Sequence, residues 1–120
     1  MNNSNKNNEL NYLKLIKDNI DNKVFIITKN DCPLCEKLKQ LFDTIEIKYT
    51  THLYEETYNE KNNNFPFKTE MKTNTGGKLF PFCYFNGTYV GGYKEIHHNL
   101  ITGKLKEQLN DIGLDYEEDF

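Results

Sequence analysis

The chain has 120 residues, 37% of them hydrophobic and 13% aromatic (all Phe and Tyr), with a formal net charge of −3. That length suits one domain with a single core, able to bury roughly two thirds of its unfolded surface without disulfide staples. The acidic balance leaves no basic footprint for nucleic acid, and no apolar run nears the ~20 residues that cross a bilayer.

Met1–Asn8 (MNNSNKNN) reads as a disordered tail, without the apolar stretch of a secretory signal or the Arg-rich look of a transit peptide. The expected compartment is therefore reducing and cytoplasmic. From Glu9 to Ile20, Leu10, Leu13, Ile16 and Ile20 recur at helical spacing and predict an amphipathic helix. Val24–Thr28 (VFIIT) is apolar and β-branched enough for a strand buried on both faces. Lys29–Asp31 is a polar loop, and a helix then starts within Cys32-Pro33-Leu34-Cys35. Pro33 suits a first helical turn, where its missing N–H has no partner to lose. Leu34, Leu38, Leu41 and Phe42 supply that helix's buried face. Ile45–Tyr49 alternates apolar and polar and predicts a second strand.

Thr50–Asn64 reads as a weak helix in its first half and a loop at its end. Phe65–Thr73 predicts a short helix, terminated by Asn74-Thr75-Gly76-Gly77. Phe82–Asn86 and Thr88–Gly91 predict two strands joined at Asn86-Gly87, a strong short hairpin signal. A last helix is expected from Glu95 to Ile112, kinked near Gly103, before an acidic end, residues 115–120, that frays. The expected domain thus spans residues 9–114. The order α-β-α-β-α-β-β-α predicts an α/β fold: a four-stranded mixed sheet with helices on both faces.

Chemistry concentrates at the C-x-x-C. A thiolate is the nucleophile in disulfide exchange, and a helix N-terminus favours one through unpaired N–H groups and about half a unit of positive charge. Cys32 lies at that start and Cys35 one turn inward, so Cys32 is the attacking sulfur and Cys35 the resolving one. Lys29 adds a nearby cation. The alternative is a zinc half-site, which needs further ligands; Cys83, His52, His97 and His98 are the candidates. Cys83 falls mid-strand as a small buried thiol, and the adjacent His97 and His98 do not share a helix face. Redox chemistry is the favoured reading. Phe80-Pro81 stands at a strand start, where Pro is tolerated. Gly91-Gly92-Tyr93 reads equally as a tight turn or as a backbone that lets a small anion approach a helix start.

Taken together, Thr28-Lys29-Asn30-Asp31-Cys32-Pro33-Leu34-Cys35, Thr75-Gly76, Phe80-Pro81, Phe85-Asn86-Gly87 and Gly91-Gly92-Tyr93 resemble a dithiol glutaredoxin, in order and spacing, from about Leu10 to Leu114. The resemblance implies a thioredoxin-like fold and reduction of protein disulfides and glutathione mixed disulfides, in the service of electron transport and cell redox homeostasis. It also implies glutathione as co-substrate, with no permanently bound cofactor and no metal. Lys29 would pair with the glycyl carboxylate of glutathione. Phe80, before a cis Pro81, would offer its backbone to the cysteinyl part, and Gly92, Tyr93 and Lys94 would hold the γ-glutamyl end. Leu34 stands beside the sulfurs where the family usually has Tyr or Phe. Leu79-Phe80 replaces the usual Thr-Val, and Lys94 stands where an acid or Ser usually meets the glutathione amino group; Glu95 is the nearest substitute. The implied partners are glutathione and disulfide-bonded or glutathionylated proteins, with no nucleic acid and no membrane, and the chain acting as a monomer. Two alternatives share this frame: a thioredoxin-like reductase that does not use glutathione, and a [2Fe–2S]-cluster carrier. A third is an adaptor whose thiols are incidental.

Overall fold

The computed structural model describes residues 12–57, 65–114 and 116. Its elements are α1 (Tyr12–Asp18), β1 (Val24–Thr28), α2 (Pro33–Thr44), β2 (Thr50–Leu53), α3 (Tyr54–Thr57), α4 (Phe65–Thr75), β3 (Phe82–Phe85), β4 (Thr88–Gly91), α5 (Tyr93–Thr102) and α6 (Lys104–Asp111). One four-stranded sheet runs in the order β2-β1-β3-β4. β1 pairs parallel with β2 and antiparallel with β3, and β3 pairs antiparallel with β4. The sheet is mixed, as expected.

Residue alternation on the two central strands divides the core. Phe25, Ile27, Phe82 and Tyr84 face one layer, where they meet Tyr12 and Leu15 of α1 and Phe67 and Met71 of α4. Val24, Ile26, Cys83 and Phe85 face the other, against Leu38 and Phe42 of α2, Ile96 of α5 and Leu105 and Leu109 of α6. Every residue of β1 and β3 is buried, because each has a helix layer on both sides. In the first layer the Tyr84 hydroxyl donates to that of Tyr12 at 3.1 Å, so two buried phenols satisfy one another.

Ile45–Tyr49 is not a strand. Glu46 adopts a left-handed conformation (φ 60°), its N–H reaches the Asp43 carbonyl at 3.1 Å, and the Ile47 N–H reaches that of Phe42 at 2.9 Å. This paired pattern is a Schellman closure of α2, in which Ile47 folds back over Phe42. Buried Ile45 and Ile47 therefore alternate because they seal a helix end. The strand is β2, drawn from the stretch expected to be weakly helical. It is a polar edge strand, with Thr50 and Thr51 exposed, so hydrophobic alternation does not mark it. Among the described residues of that stretch, Tyr54–Thr57 is helical.

The hairpin turn is as expected, with Asn86 and Gly87 both at positive φ (50° and 82°). The last helix starts at Tyr93, two residues early, and Gly103 at φ 88° divides it in two rather than kinking it. Tyr116 is anchored, its hydroxyl donating to Asn110 at 3.0 Å. The predicted tail 1–8, the first residues of the N-terminal helix, the loop at 58–64 and the rest of the acidic end lie outside the described residues.

Candidate active site

Three chain segments converge where α2 begins. The first is the loop after β1. Thr28 ends strand β1, Asp31 turns through a left-handed conformation (φ 53°), and Cys32 becomes the N-cap of α2, with Pro33 opening the helix. The Cys32 sulfur accepts the Cys35 N–H at 3.2 Å. A sulfur thus occupies the place where a capping oxygen would normally satisfy an orphan amide. Cys32 and Cys35 are bonded to each other, their Cα atoms 5.2 Å apart. Cys32 is 9% exposed and Cys35 0%, so a second molecule reaches the pair through Cys32. The loop is held from outside by α3, where both Glu55 carboxylate oxygens accept the Asn30 N–H at 3.1 Å.

The second segment precedes β3. The Phe80–Pro81 peptide is cis. Phe80 packs its ring against Phe82 (5.1 Å) and Tyr54 (5.3 Å). The Lys29 ammonium stands 5.4 Å from the Phe80 ring centroid, a cation–π contact that links the first loop to the second. Leu79 is left 65% exposed at the rim.

The third segment is the junction of β4 and α5. Gly92 caps α5 and lies so close to the second segment that a Cβ there would stand 2.9 Å from the Pro81 carbonyl oxygen. The Glu95 carboxylate accepts the Gly92 N–H at 2.8 Å, so it closes the helix start. Tyr93 stacks on His97 at 5.5 Å and takes the Lys37 ammonium at 5.9 Å on its ring.

Between the second and third segments lies a cavity of about 520 Å³. Five of the predicted glutathione contacts, Leu34, Phe80, Gly92, Tyr93 and Lys94, line it. Lys29 and Pro81 are not part of that lining but touch it, Lys29 on the Phe80 ring and Pro81 with its carbonyl against Gly92. Sequence reasoning missed Gly77 and Tyr89, which close its far side in mutual contact. It also missed Glu55 and Tyr54, which brace the loop and Phe80. Their contacts cross about 25 residues of chain, and no local pattern signals them.

The alternative ligands do not gather. Cys83 is fully buried within β3, where burial pushes its thiol far above the usual range. His52 is on β2, its Nε2 2.6 Å from the Thr57 hydroxyl, and burial lowers its pKa against the opposing pull of Glu56. Among the described residues no three His, Cys, Asp or Glu side chains are grouped to hold an ion.

The sequence model of the glutaredoxin family matches residues 24–90. Mitochondrial glutaredoxin-2 of Pongo abelii is 33% identical over 85 residues, covering 71% of this chain and 50% of that protein. Glutaredoxin-1 of Saccharomyces cerevisiae is 28% identical over 102 residues, covering 83% and 92% respectively. The chain thus spans half the length of the first relative and nearly all of the second. Among solved structures, oxidized glutaredoxin 2 from Chlamydomonas reinhardtii superposes with a TM-score of 0.66 at 26% identity, covering 87% of this chain and 98% of that one. A buckwheat glutaredoxin–glutathione complex superposes at 0.72 with 22% identity, covering 85% and 89%, and shares the fold. With the matched segment running from the first core strand through the second cysteine of the pair to the last strand, this chain belongs to the glutaredoxin family.

Proposed function

We propose that the chain is a glutathione-dependent thiol–disulfide oxidoreductase that works through Cys32 and Cys35. The observation that carries this is the seat of Cys32: the residue is the N-cap of a twelve-residue helix and its sulfur accepts a backbone N–H at 3.2 Å. The same contact stabilises a thiolate more than a thiol, and the helix dipole acts in the same direction. In the reduced protein the Cys32 thiolate attacks a substrate disulfide. One new S–S bond forms, the substrate's S–S bond breaks, and the leaving thiolate takes a proton from solvent. With a glutathionylated protein, Cys32 becomes the glutathione mixed disulfide. A second glutathione thiolate then attacks the glutathione sulfur, releasing oxidised glutathione and regenerating Cys32. Alternatively Cys35 attacks Cys32, closing the intramolecular disulfide and releasing glutathione.

Glutathione is the preferred small thiol because the cavity beside Cys32 offers what it needs. At its edge Lys29 supplies a cation for the glycyl carboxylate, and the Phe80 backbone before cis Pro81 pairs with the cysteinyl part. The α5 start with Tyr93 and Lys94 meets the γ-glutamyl carboxylate. Leu34 supplies apolar contact next to the sulfurs. The test is turnover of a glutathione mixed disulfide, coupled to glutathione reductase, for wild type, Cys32→Ser and Cys35→Ser. Cys32→Ser should lose nearly all turnover. Cys35→Ser should keep it, while losing reduction of dithiol substrates. A dead Cys35→Ser beside an active Cys32→Ser overturns the assignment.

A further inference from the structure

A second trough of about 520 Å³ adjoins the first and shares Tyr89, Val90, Lys94 and Glu95 with it. Its own walls are His98 and Asn99 of α5 and Lys104 and Gln108 of α6. Gly103, at φ 88°, ends α5 and opens α6, and the trough takes residues from both helices. Lys94, His98 and Lys104 are exposed. Among the described residues neither Lys94 nor Lys104 has a carboxylate partner. The trough's single carboxylate, Glu95, has an oxygen engaged by the Gly92 N–H. Asn99, 9% exposed, donates its amide N–H to the Gln108 carbonyl at 3.1 Å, which ties α5 to α6 along the trough. On a chain with a net charge of −3, two lysines against one carboxylate leave this patch cationic.

We propose that this trough is a docking subsite for an acidic polypeptide segment of the disulfide substrate. The inference rests on the redox reading above and names the kind of protein that site serves. A carboxylate side chain entering the trough meets two ammonium groups, and Lys94 belongs to the walls of both cavities. Lys94, His98 and Lys104 are exposed along a lining drawn from two helices, which fits a polypeptide segment rather than an enclosed small molecule. Rim charges of this kind act on encounter and selection among partners more than on the sulfur chemistry.

The test uses two disulfide-linked peptides, identical except for a tail of glutamates or of lysines beside the half-cystine. They are presented to the reduced full chain, and to Lys104→Glu, in low salt without glutathione. Wild type should reduce the glutamate peptide about fivefold faster, the scale of an exposed ion pair. Lys104→Glu should abolish or invert that preference, and about 1 M salt, where the screening length is about 3 Å, should erase it. A glutathione mixed disulfide of a small uncharged thiol should be turned over equally by both proteins. Equal rates for the two tails in wild type, or a preference that survives Lys104→Glu, overturns the inference. Binding of the same tails, made without cysteine, to the oxidised chain reads the subsite independently of turnover. Should no disulfide be reduced at all, the redox reading falls, while an unchanged glutamate preference in binding still upholds the subsite.

Discussion

Gly92→Ala isolates the contact that closes the cavity. The Gly92 backbone (φ −109°, ψ −158°) is extended and open to alanine, so the substitution carries a clash and no dihedral strain. Its Cβ would sit 2.9 Å from the Pro81 carbonyl oxygen, where ordinary contact begins at 3.4 Å. The neighbour is backbone held between a buried Phe80 and β3, and it cannot swing aside as a side-chain tip can. Either the Phe80–Pro81 segment or the start of α5 must retreat by about half an ångström. Overpacking of this kind costs about 1–3 kcal/mol. For a domain between the sizes usually tabulated, that lowers the melting temperature by about 3–15 °C. Both displaced segments line the cavity, so turnover of a glutathione mixed disulfide should fall by about tenfold or more. The alkylation rate of reduced Cys32, which belongs to another helix, should stay within about twofold. Gly103→Ala is the control: a Cβ there meets nothing within 4 Å, but φ is +88°. It should cost about 1 kcal/mol of strain and leave turnover alone. A Gly92→Ala protein that melts and turns over like wild type would refute the steric argument.

The buried phenols make a cycle. Tyr12→Phe leaves the Tyr84 hydroxyl without its 3.1 Å partner and should cost about 1–3 kcal/mol in urea denaturation, whereas adding Tyr84→Phe should recover part of that loss; strict additivity would show that the bond is not the cause. Alkaline pH should destabilise the fold. Burial raises the pKa of Cys83 above its ordinary 9.0 and those of Tyr12 and Tyr84 above 10.0, and that of Tyr49 to about 12. The folded chain therefore keeps protons that the unfolded chain releases, so stability is whole below about pH 9 and falls as pH rises beyond it. Each such group steepens the fall by up to about 1.4 kcal/mol per pH unit. Urea midpoints from pH 8 to 11 measure it, and Cys83→Ala should delay the onset; a flat profile would contradict the burial of these groups.

Local pattern was enough wherever a residue's neighbours in sequence are also its physical partners. Val24–Thr28, wholly apolar but for its last residue, is the buried central strand, and Asn86-Gly87 turns the hairpin through two positive φ values. Pro33 starts the helix that carries Cys32 at its cap, because a fixed φ and a missing N–H suit only that place. The alternation of Ile45 and Ile47 misled because a helix end sealed by a Schellman turn and a strand both bury every second residue there. β2 left no hydrophobic trace because an edge strand owes its place to hydrogen bonds with β1. Tyr93 joined α5 early because Glu95 reaches back to the Gly92 N–H.

Residue order alone determined which sulfur stands at a helix start, that Val24–Thr28 is a strand buried on both faces, and where the hairpin turns. Tertiary structure decided the rest of the site: Lys29 over Phe80, Glu55 on Asn30, the Pro81 carbonyl against Gly92, and a trough lined by α5 and α6. The reason is distance along the chain. Caps, turns and buried runs are settled within a few residues, while contacts between remote segments depend on how whole layers pack.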